Sequence, residues 1–251
     1  MKNVYTRPKS LKKTPFHYCP GCGHSVAHRL ICEVIDEMEL RDKTLGIPPP
    51  GCSVFAYNYF DVDMAECAHG RGTAVATGMK RAYPELVVFT YQGDGDLAGI
   101  GTAETIHAAN RGENITTIFI NNAVYGMTGG QMAPTTLCGM KTSTTPYGRD
   151  HVLEGHPIKM SEMLAMLDGV AYIERVAVNS PVNIRKTKKA IAKAFEMQLN
   201  KRGFAMVEIL SPCPTNWKMS SVQAWKWIDE EMTKVFPLGV FKDVTEKKDA
   251  D

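Results

Sequence analysis

Residues 86–122 read LVVFTYQGDGDLAGIGTAETIHAANRGENITTIFINN, and this stretch decides the fold. Two apolar runs, residues 86–91 and 115–120, have the composition of buried strands. Between them, residues 97–110 have the length and composition of a helix. A strand, a helix and a second strand in this order make a βαβ unit with parallel strands. The stretch therefore predicts a parallel sheet.

The rest of the chain continues the same alternation. Further strands are predicted at residues 45–47, 171–178 and 204–210, and further helices at 24–38, 73–83, 161–167, 180–200 and 221–236. Ser180 followed by Pro181 is typical of a helix start. We predict an α/β fold in which a mostly parallel sheet has helices on both faces. Residues 19–236 form one domain, between an N-terminal arm at 1–18 and a C-terminal tail at 237–251.

The composition excludes several classes of protein. The chain has 251 residues, 44% of them hydrophobic, which is enough for one large domain, and its formal charge of +2 gives no sign of nucleic-acid binding. No apolar run approaches the roughly 18 residues of a membrane span. The arm is basic but has no apolar core, so it is not a signal peptide; it either lies on a partner or is solvated. Seven cysteines, an odd number, argue against a disulfide framework and favour the reducing cytoplasm.

The glycine turn GDGD at residues 93–96 follows the first strand of the opening stretch. Glycine lets backbone N–H groups approach a phosphate closely, but the carboxylate of Asp94 would repel a bare phosphate. A divalent cation between them removes the conflict, and Mg²⁺ prefers oxygen ligands from a few side chains, phosphate and water. Asn122 ends the next strand, at the edge of the sheet where ligands bind. Asp94 and Asn122 are therefore the predicted ligands of a metal–diphosphate site.

The same turn also satisfies a dinucleotide-binding pattern, because Gly93, Gly95 and Ala98 match G-x-G-x-x-A between a strand and a helix. This competing prediction is an NAD(P)-dependent oxidoreductase of the Rossmann type. It requires an acidic residue about 20 positions later for the ribose hydroxyl, whereas the following strand ends in Asn121-Asn122. An ordinary tight turn with a solvated aspartate is the simplest alternative.

Several motifs together resemble one family. They are GDG followed by NN, the longer string GDGDLAGIGTAETIHAANRGENITTIFINNAVYGMTGGQMAPTT at residues 93–136, CPGCGH at 19–24 and HGRG at 69–72. From about Cys19 to Pro214 the chain resembles the β subunit of 2-oxoacid:ferredoxin oxidoreductases, which bind thiamine diphosphate, and the 2-oxoisovalerate type in particular. The resemblance implies a thiamine-diphosphate-binding fold for residues 19–236.

The resemblance also implies roles for individual residues. Asp94, the Asn122 side chain and the main-chain carbonyl of Val124 would hold Mg²⁺. His69 and Arg71 would act in catalysis, or would instead form a buried structural pair. The residues expected around the thiamine diphosphate are Gly51, Cys52, Ser53, His69, Gly95, Asp96, Gly126, Met127 and Thr128.

Four cysteines are candidate metal ligands. Taken alone, Cys19-x-x-Cys22 fits half a zinc site, a redox pair or half an iron–sulfur site. The resemblance implies that Cys19, Cys22, Cys52 and Cys213 bind one [4Fe–4S] cluster, for which four thiolates are the usual ligands. Cys32 lies within a predicted helix and is expected to be a core residue.

The activity implied by the resemblance is the CoA-dependent oxidative decarboxylation of a 2-oxoacid to acyl-CoA and CO₂, with electrons passing through the cluster to ferredoxin. The chain has length for only one thiamine-binding domain. An α-type partner subunit is therefore expected to supply the pyrimidine-binding domain and the activating glutamate. A ferredoxin-like subunit is a further expected partner, because the cysteine run of a two-cluster ferredoxin does not occur in this chain.

The substrate is predicted from residues 53–60, which follow Cys52 and carry no positive charge. Relatives that take 2-oxoglutarate have a basic residue there, matching its distal carboxylate. An apolar lining favours a branched-chain oxoacid such as 2-oxoisovalerate, with 2-oxoglutarate or pyruvate as alternatives. The segment could also be simply core, with specificity set by the partner.

Overall fold

The computed structural model describes residues 6–245, and a seven-stranded sheet forms their centre. The strands in chain order are β1 (Thr44–Ile47), β2 (Asp63–Met64), β3 (Val87–Gly93), β4 (Thr116–Asn121), β5 (Val124–Tyr125), β6 (Gln131–Met132), β7 (Val170–Ala177), β8 (Phe204–Leu210) and β9 (Gly239–Asp243). The sheet order is β2-β1-β3-β4-β8-β7-β9, and β5 pairs with β6 in a separate hairpin. Among the described pairs of the main sheet, all are parallel except β7 with β9.

Helices alternate with these strands, as predicted. They are α1 (His24–Glu37), α2 (Gly72–Ala82), α3 (Thr102–Asn110), α4 (Met160–Ala165), α5 (Pro181–Leu199), α6 (Pro214–Trp217), α7 (Ser221–Trp227) and α8 (Thr233–Val235). Short 3₁₀ helices span Arg41–Lys43 and Val54–Asn58, and π-helical segments span Asp96–Ile100 and Ile228–Met232. The side chain of Ser180 caps α5 by accepting from Asn183 N–H, as its position before Pro181 predicts. Within residues 6–245, no helix combines the length and apolarity needed to cross a bilayer.

Both faces of the sheet are covered, which confirms the predicted fold class. Strand residues alternate between the faces: Phe89 of β3 packs in the core that contains α1 and α5, whereas its neighbour Val88 packs in the core of α2, α3 and α4. A third core, around Trp217 and Phe236, joins the C-terminal helices to the ends of β4 and β8. These helices therefore lie against the carboxyl edge of the sheet.

Two helices differ from the sequence prediction. The predicted helix at 97–110 begins with the π-helical segment Asp96–Ile100 before α3, and the predicted helix at 221–236 is interrupted by Ile228–Met232. In the first of these, the backbone N–H of Gly101 reaches back to the carbonyl of Asp96. A π segment inserts one residue into a helix and is often found at functional sites.

The prediction that residues 237–251 form a C-terminal tail outside the domain is wrong for the first of these residues. Residues 239–243 form β9, an edge strand that pairs antiparallel with β7. The guanidinium of Arg175 in β7 lies over the ring of Phe241, 4.7 Å from the ring centroid, so burial of that aromatic face orders the strand. Residues 246–251 lie outside the described residues.

The described part of the N-terminal arm packs on its own domain. The main-chain N–H of Ser10 donates to the side chain of Asp36 at the end of α1, and Leu11 forms a bridge with Phe60. Ser10 and Leu11 are both buried. Of the two sequence alternatives, a solvated arm is therefore wrong for these residues. Residues 1–5 lie outside the described residues.

Candidate active site

A cavity of about 340 Å³ lies at the carboxyl edge of the sheet, where the ends of β1, β3 and β4 meet. Parallel strands bring the residues that follow them to the same edge. The lining residues are His24, Pro50, Gly51, Cys52, Ser53, His69, Gly93, Asp94, Gly95, Asp96, Ile100, Asn122, Val124, Tyr125, Gly126, Met127 and Thr128. Every residue predicted to surround the thiamine diphosphate is among them. The three predicted Mg²⁺ ligands line it as well.

Three polar groups converge inside this cavity. One terminal atom of the Asn122 amide lies 2.8 Å from Oδ2 of Asp94 and 2.7 Å from the main-chain oxygen of Val124. As a nitrogen, that atom donates to both oxygens. As an oxygen, it completes a set of three oxygen atoms, which are the ligands that Mg²⁺ prefers. The predicted ligands therefore lie close enough to share one ion.

The burial of the Asp94 carboxylate favours a bound cation at this position. Its side chain is 3% exposed, and the hydroxyl of Thr135 and the main-chain N–H of Asn122 donate to it. Burial raises the pKa of Asp94 to about 7, although these donors oppose the rise. A buried carboxylate without a full charge partner is costly, and a divalent cation would supply that charge. The donor set thus fits the predicted metal.

Asp96 lines the cavity, but its carboxylate is already occupied. Oδ2 accepts from the main-chain N–H of Gly70 at 2.6 Å and lies 2.7 Å from Nδ1 of His69, while Oδ1 accepts from Gln92 at 2.6 Å. Both carboxylate oxygens of Asp96 thus already accept hydrogen bonds from within this chain. The carboxylate orients His69, which is 38% exposed and faces the cavity.

Arg71 does not lie with His69 in the cavity. It starts α2 and forms an ion pair with Glu104, with 2.6 Å between Nη1 and Oε1, and its side chain is about half exposed. The geometry therefore places only His69 of the two predicted catalytic residues in the cavity lining. Neither is a member of the buried His–Arg pair that was the alternative.

The hairpin turn, defined as residues 126–130, forms one wall of the cavity between β5 and β6. A Cβ atom at Gly126 would lie 3.2 Å from Sγ of Cys52, so glycine leaves room for this close approach. A Cβ atom at Gly95, in the turn after β3, would lie 3.1 Å from the ring of Tyr125. Small residues thus leave the cavity open beside the three converging polar groups.

The four predicted cluster ligands line a second, adjacent cavity of about 170 Å³, together with His17, Tyr18, Asn122, Gly126, Met127, Pro214 and Asn216. Cys52 lines both cavities. Burial, reinforced by the neighbouring thiols, raises the pKa of Cys52 to about 12. Burial also raises the pKa of Cys22 to about 12, although a backbone hydrogen bond opposes this rise. Thiols held this way need bound metal to stay deprotonated.

The four thiols line one cavity, with space between them. The space therefore fits a group of several atoms, as the resemblance implies. Of the remaining cysteines, Cys32 is buried in the core as predicted, Cys67 is half-buried and Cys138 is exposed.

The segment after Cys52 was only partly predicted correctly. Ser53 lines the cavity, but residues 54–60 leave it, because Val54–Asn58 turns away as a 3₁₀ helix. Ala56, Tyr59 and Phe60 are buried, whereas Phe55 and Tyr57 are exposed, so the alternative that this segment is core holds for only part of it. The apolar lining of the cavity comes instead from Ile100, Val124 and Met127 among others.

Several site residues were not predicted. Tyr125 and Ile100 line the cavity, and Trp217 supports it by donating from Nε1 to the main-chain oxygen of Asn122 at 3.0 Å. His24 also lines the cavity; Nδ1 lies 2.8 Å from the hydroxyl of Tyr91, and burial lowers the pKa of His24 to about 3. Its place in CPGCGH, two residues after Cys22, was the signal available in the sequence.

The dinucleotide alternative finds no support at the end of β4. The amide of Asn121 donates to the buried carboxylate of Glu208 at 2.8 Å, so this side chain points into the core. Asn122 faces Asp94. No acidic side chain is therefore available at the strand end that would hold a ribose hydroxyl.

Comparisons with known proteins identify the family of this chain. The family of thiamine pyrophosphate enzymes, C-terminal TPP binding domain, matches residues 51–209. Ketoisovalerate oxidoreductase subunit VorA of Methanothermobacter thermautotrophicus is 49% identical over 243 residues, which cover 97% of this chain and 51% of the relative. The 2-oxoglutarate synthase subunit KorB of Archaeoglobus fulgidus is 35% identical over 234 residues, covering 93% of this chain and 83% of that subunit. The chain thus spans about half the length of the VorA relative.

A solved structure has the same fold over nearly the whole chain. The 2-oxoglutarate:ferredoxin oxidoreductase from Magnetococcus marinus, with 2-oxoglutarate, coenzyme A and succinyl-CoA bound, matches with a TM-score of 0.76 at 27% identity. The match covers 98% of this chain and 87% of that one. The chain belongs to the thiamine pyrophosphate enzyme family, and within it to the β-type subunits of 2-oxoacid:ferredoxin oxidoreductases that carry the TPP-binding domain.

Proposed function

We propose that this chain binds thiamine diphosphate, Mg²⁺ and one [4Fe–4S] cluster as the β subunit of a 2-oxoacid:ferredoxin oxidoreductase. The enzyme converts a 2-oxoacid and coenzyme A to acyl-CoA and CO₂, and passes the electrons to ferredoxin. One observation carries the proposal: the Asp94 carboxylate, the Asn122 side-chain amide and the main-chain oxygen of Val124 converge in a cavity that shares Cys52 with a four-cysteine cavity.

The roles of the residues follow from their positions. Asp94, the Asn122 side chain and the Val124 carbonyl would hold Mg²⁺, and the hairpin turn would lie along the diphosphate. When bound, thiamine diphosphate supplies carbanion stabilisation and the cluster supplies one-electron transfer. Two histidines are among the described lining residues. His69, held by Asp96, is the one suited to proton transfer, because burial lowers the pKa of His24 to about 3. The partner nitrogen of His69, Nε2, is free to hold or move a proton at the reacting group.

The cavity also supports the need for a partner. Among the described residues, no glutamate lines it, so the activating glutamate would come from an α-type subunit that also supplies the pyrimidine-binding domain. Ile100 and Met127 line the cavity and are each about half exposed, as expected for residues that a partner covers. Coenzyme A, ferredoxin and a ferredoxin-like subunit complete the proposed set of partners. The enzyme would work in the cytoplasm.

A branched-chain 2-oxoacid is the proposed substrate. Within residues 6–245, no lysine or arginine lines the cavity, so this chain offers no partner for the distal carboxylate of 2-oxoglutarate. Leaving such a carboxylate unpaired in a buried site is costly. The ketoisovalerate relative is also more similar to this chain than the 2-oxoglutarate relative, at 49% against 35% identity.

The cofactor content of the complex tests the proposal. The complex is purified without oxygen together with its partner chains, and iron, zinc, magnesium and thiamine are measured. We expect Asp94→Ala to lose thiamine diphosphate, and Cys213→Ser to lose about four iron atoms per chain. Cys67→Ser, at a half-buried cysteine outside the four, is the matched control and should keep them. Undiminished thiamine diphosphate binding in Asp94→Ala, or zinc in place of iron, would refute the proposal.

Kinetics test the substrate separately. With the assembled complex, we expect kcat/KM for 2-oxoisovalerate to exceed that for 2-oxoglutarate by at least about 100-fold, the usual discrimination when a buried polar group is left unpaired. A preference for 2-oxoglutarate would refute the branched-chain assignment and leave the cofactor assignment intact.

A further inference from the structure

Asn216 lies between the two cavities, and sequence motifs gave it no role. It belongs to α6, the short helix that follows Cys213, and it lines the four-cysteine cavity. Its Nδ2 lies 2.9 Å from the main-chain oxygen of Gly126 and 3.3 Å from Sγ of Cys213. One side chain thus contacts both a cluster ligand and the hairpin turn beside the thiamine diphosphate.

The chemistry of the two contacts fixes the orientation of the amide. A carbonyl oxygen and a thiolate both accept hydrogen bonds, and an amide nitrogen has two hydrogens to donate. Turned over, the amide oxygen would face two acceptors. Nδ2 therefore donates one hydrogen to Gly126 and the other to Cys213.

The neighbouring backbone shows that the contact is built into the fold. A Cβ atom at Gly130, in the same hairpin turn, would lie 3.0 Å from Cβ of Asn216, so the turn and α6 are tightly packed. Trp217, the next residue, donates to the main-chain oxygen of Asn122 at 3.0 Å. Two consecutive residues of α6 therefore hold the two sides of the cofactor cavity, but only Asn216 contacts sulfur.

We propose that Asn216 is a positioning residue that ties the cluster ligand Cys213 to the hairpin turn and raises the reduction potential of the cluster. The inference rests on the proposed function, because it treats Cys213 as a cluster ligand. Reduction adds negative charge that spreads onto the cysteine sulfurs. A hydrogen bond to a sulfur stabilises the reduced form more than the oxidised form and so raises the potential.

The test is a redox titration of the complex, purified without oxygen with its partner chains and followed by electron paramagnetic resonance. The paramagnetic resonance signal that is lost in Cys213→Ser belongs to this cluster. In Asn216→Leu, which keeps the branching at Cγ but has no donor, we expect the ratio of reduced to oxidised cluster at a fixed poise to fall about 3- to 10-fold. At 59 mV per tenfold for one electron, that is a drop of about 30–60 mV. Asn216→Ala should shift the potential in the same direction.

Thiamine diphosphate binding supplies the second readout and the matched control. Asn216→Leu should weaken binding about 3- to 10-fold, because the Gly126 carbonyl loses its tether. Trp217→Phe removes the neighbouring hydrogen bond to Asn122, so it should also weaken binding but leave the reduced-to-oxidised ratio within twofold. The proposal is supported if the reduction potential falls in the Asn216 variants and does not fall in Trp217→Phe.

Three outcomes would overturn it. An unchanged potential in Asn216 variants that keep the cluster shows that the contact does not tune it. An equal shift in Trp217→Phe shows a general effect of disturbing α6. Loss of the cluster from both Asn216 variants shows a residue needed for assembly. Failure of the proposed function would look different, since the wild-type complex would then contain no cluster or no thiamine diphosphate.

Discussion

Nδ1 of His69 lies 2.7 Å from Oδ2 of Asp96, and this contact holds the imidazole in the lining of the cavity proposed for the cofactor. Asp96 is buried and also accepts from the main-chain N–H of Gly70 and from Gln92, so its position is fixed on three sides. A carboxylate acceptor keeps the proton of a neutral imidazole on Nδ1. Nε2 is thereby left as the acceptor that faces the reacting groups.

The substitution Asp96→Asn should separate orientation of His69 from cofactor binding. It keeps the shape of the side chain, but the new amide can present a donor to Nδ1 and favour the wrong tautomer. We expect kcat to fall roughly 100-fold, at the low end of what a positioned acid–base group contributes. Because the carboxylate bonds to groups of this chain and would not bind an anionic diphosphate, the dissociation constant of thiamine diphosphate should stay within about threefold. Steady-state kinetics and calorimetry measure the two effects.

Arg71→Gln is the control for that experiment. Arg71 comes from the same HGR motif, but it pairs with Glu104 near the surface and does not line the cavity. An exposed ion pair contributes about 0–1 kcal/mol, so we expect kcat within about threefold of wild type. Equal losses in Asp96→Asn and Arg71→Gln would contradict the division of roles drawn from the geometry.

The buried carboxylate of Asp94 should make stability depend on pH when no ion is bound. Burial raises its pKa in the folded protein to about 7, against 3.8 ordinarily. Between these two values the folded protein retains a proton that the unfolded chain has released. The stabilisation from Asp94 is therefore complete below the lower value and is lost as the pH rises through about 7. In EDTA, raising the pH from about 5 to about 8 should lower the Tm of wild type more than that of Asp94→Asn.

Mg²⁺ should reverse this trend, because it binds the carboxylate and displaces the proton. We expect the affinity for Mg²⁺–thiamine diphosphate to weaken by roughly tenfold per pH unit below about 7 and to level off above it. The cofactor has its own titrations, so the informative quantity is the difference between wild type and Asp94→Asn measured by calorimetry over the same pH range. Parallel pH profiles for the two proteins would exclude Asp94 as the titrating ligand.

Sequence reasoning predicted the fold, and it predicted that Asp94 and Asn122 meet at one edge of the sheet, because both follow from the strand pattern. The strand at 204–210 was predicted with its observed bounds, and Asp94 and Asn122 meet since parallel strands end at one edge. What it missed comes from contacts between distant parts of the chain. Asn216 lies 90 residues from Gly126, and Trp225 donates to Gly21 across 204 residues. No short-range period encodes such pairs.

The edge strand β9 was missed for a related reason. Its sequence is short and mixed in polarity, and it is ordered by Arg175, which lies on another strand. In the same way, Asp96 and His69 were both predicted to lie around the cofactor, but their contact with each other was not predicted. The residue types were informative, but which of them touch each other depends on the π-helical turn at 96–100.

The turn that carries Cys19 and Cys22 should depend on close packing against α7. Gly21 has a φ of +77°, and a Cβ atom there would lie 2.6 Å from Cβ of Ser221. Gly139 has the same φ of +77°, with nothing within 4 Å of its Cβ position. Gly139→Ala should therefore cost only the left-handed strain of about 1–2 kcal/mol. Gly21→Ala should cost about 1–3 kcal/mol more, because α7 must move.

Denaturant unfolding of the two glycine variants measures the difference, and iron content reports on the cluster. The carbonyl of Gly21 accepts from Nε1 of Trp225 at 2.9 Å, so displacement of α7 also frees the turn. We expect Gly21→Ala to lose iron and Gly139→Ala to keep it. Equal stability and full iron in both variants would show that α7 does not clamp the cysteine turn.

A substitution at Arg175 should strongly destabilise the fold. Its side chain is fully buried, with Nε 2.9 Å from the buried carboxylate of Glu208 and a second ion pair to Glu162. Arg175→Met would leave the Glu208 charge unpaired in the core, which costs about 3–5 kcal/mol. Arg41→Met is the matched control, because its pair with Asp61 is exposed and contributes about 0–1 kcal/mol.

A double-mutant cycle with Glu208→Gln tests the physical reason. If the cost is the unpaired charge, the double variant should regain part of the stability lost by Arg175→Met, with a coupling of about 1–3 kcal/mol in urea unfolding. Glu208 also accepts from Asn121, which precedes the ligand Asn122, so Glu208→Gln alone should weaken Mg²⁺–thiamine diphosphate binding slightly. Strict additivity of the two substitutions would mean that Arg175 stabilises the fold through packing on Phe236 and Phe241 rather than through charge.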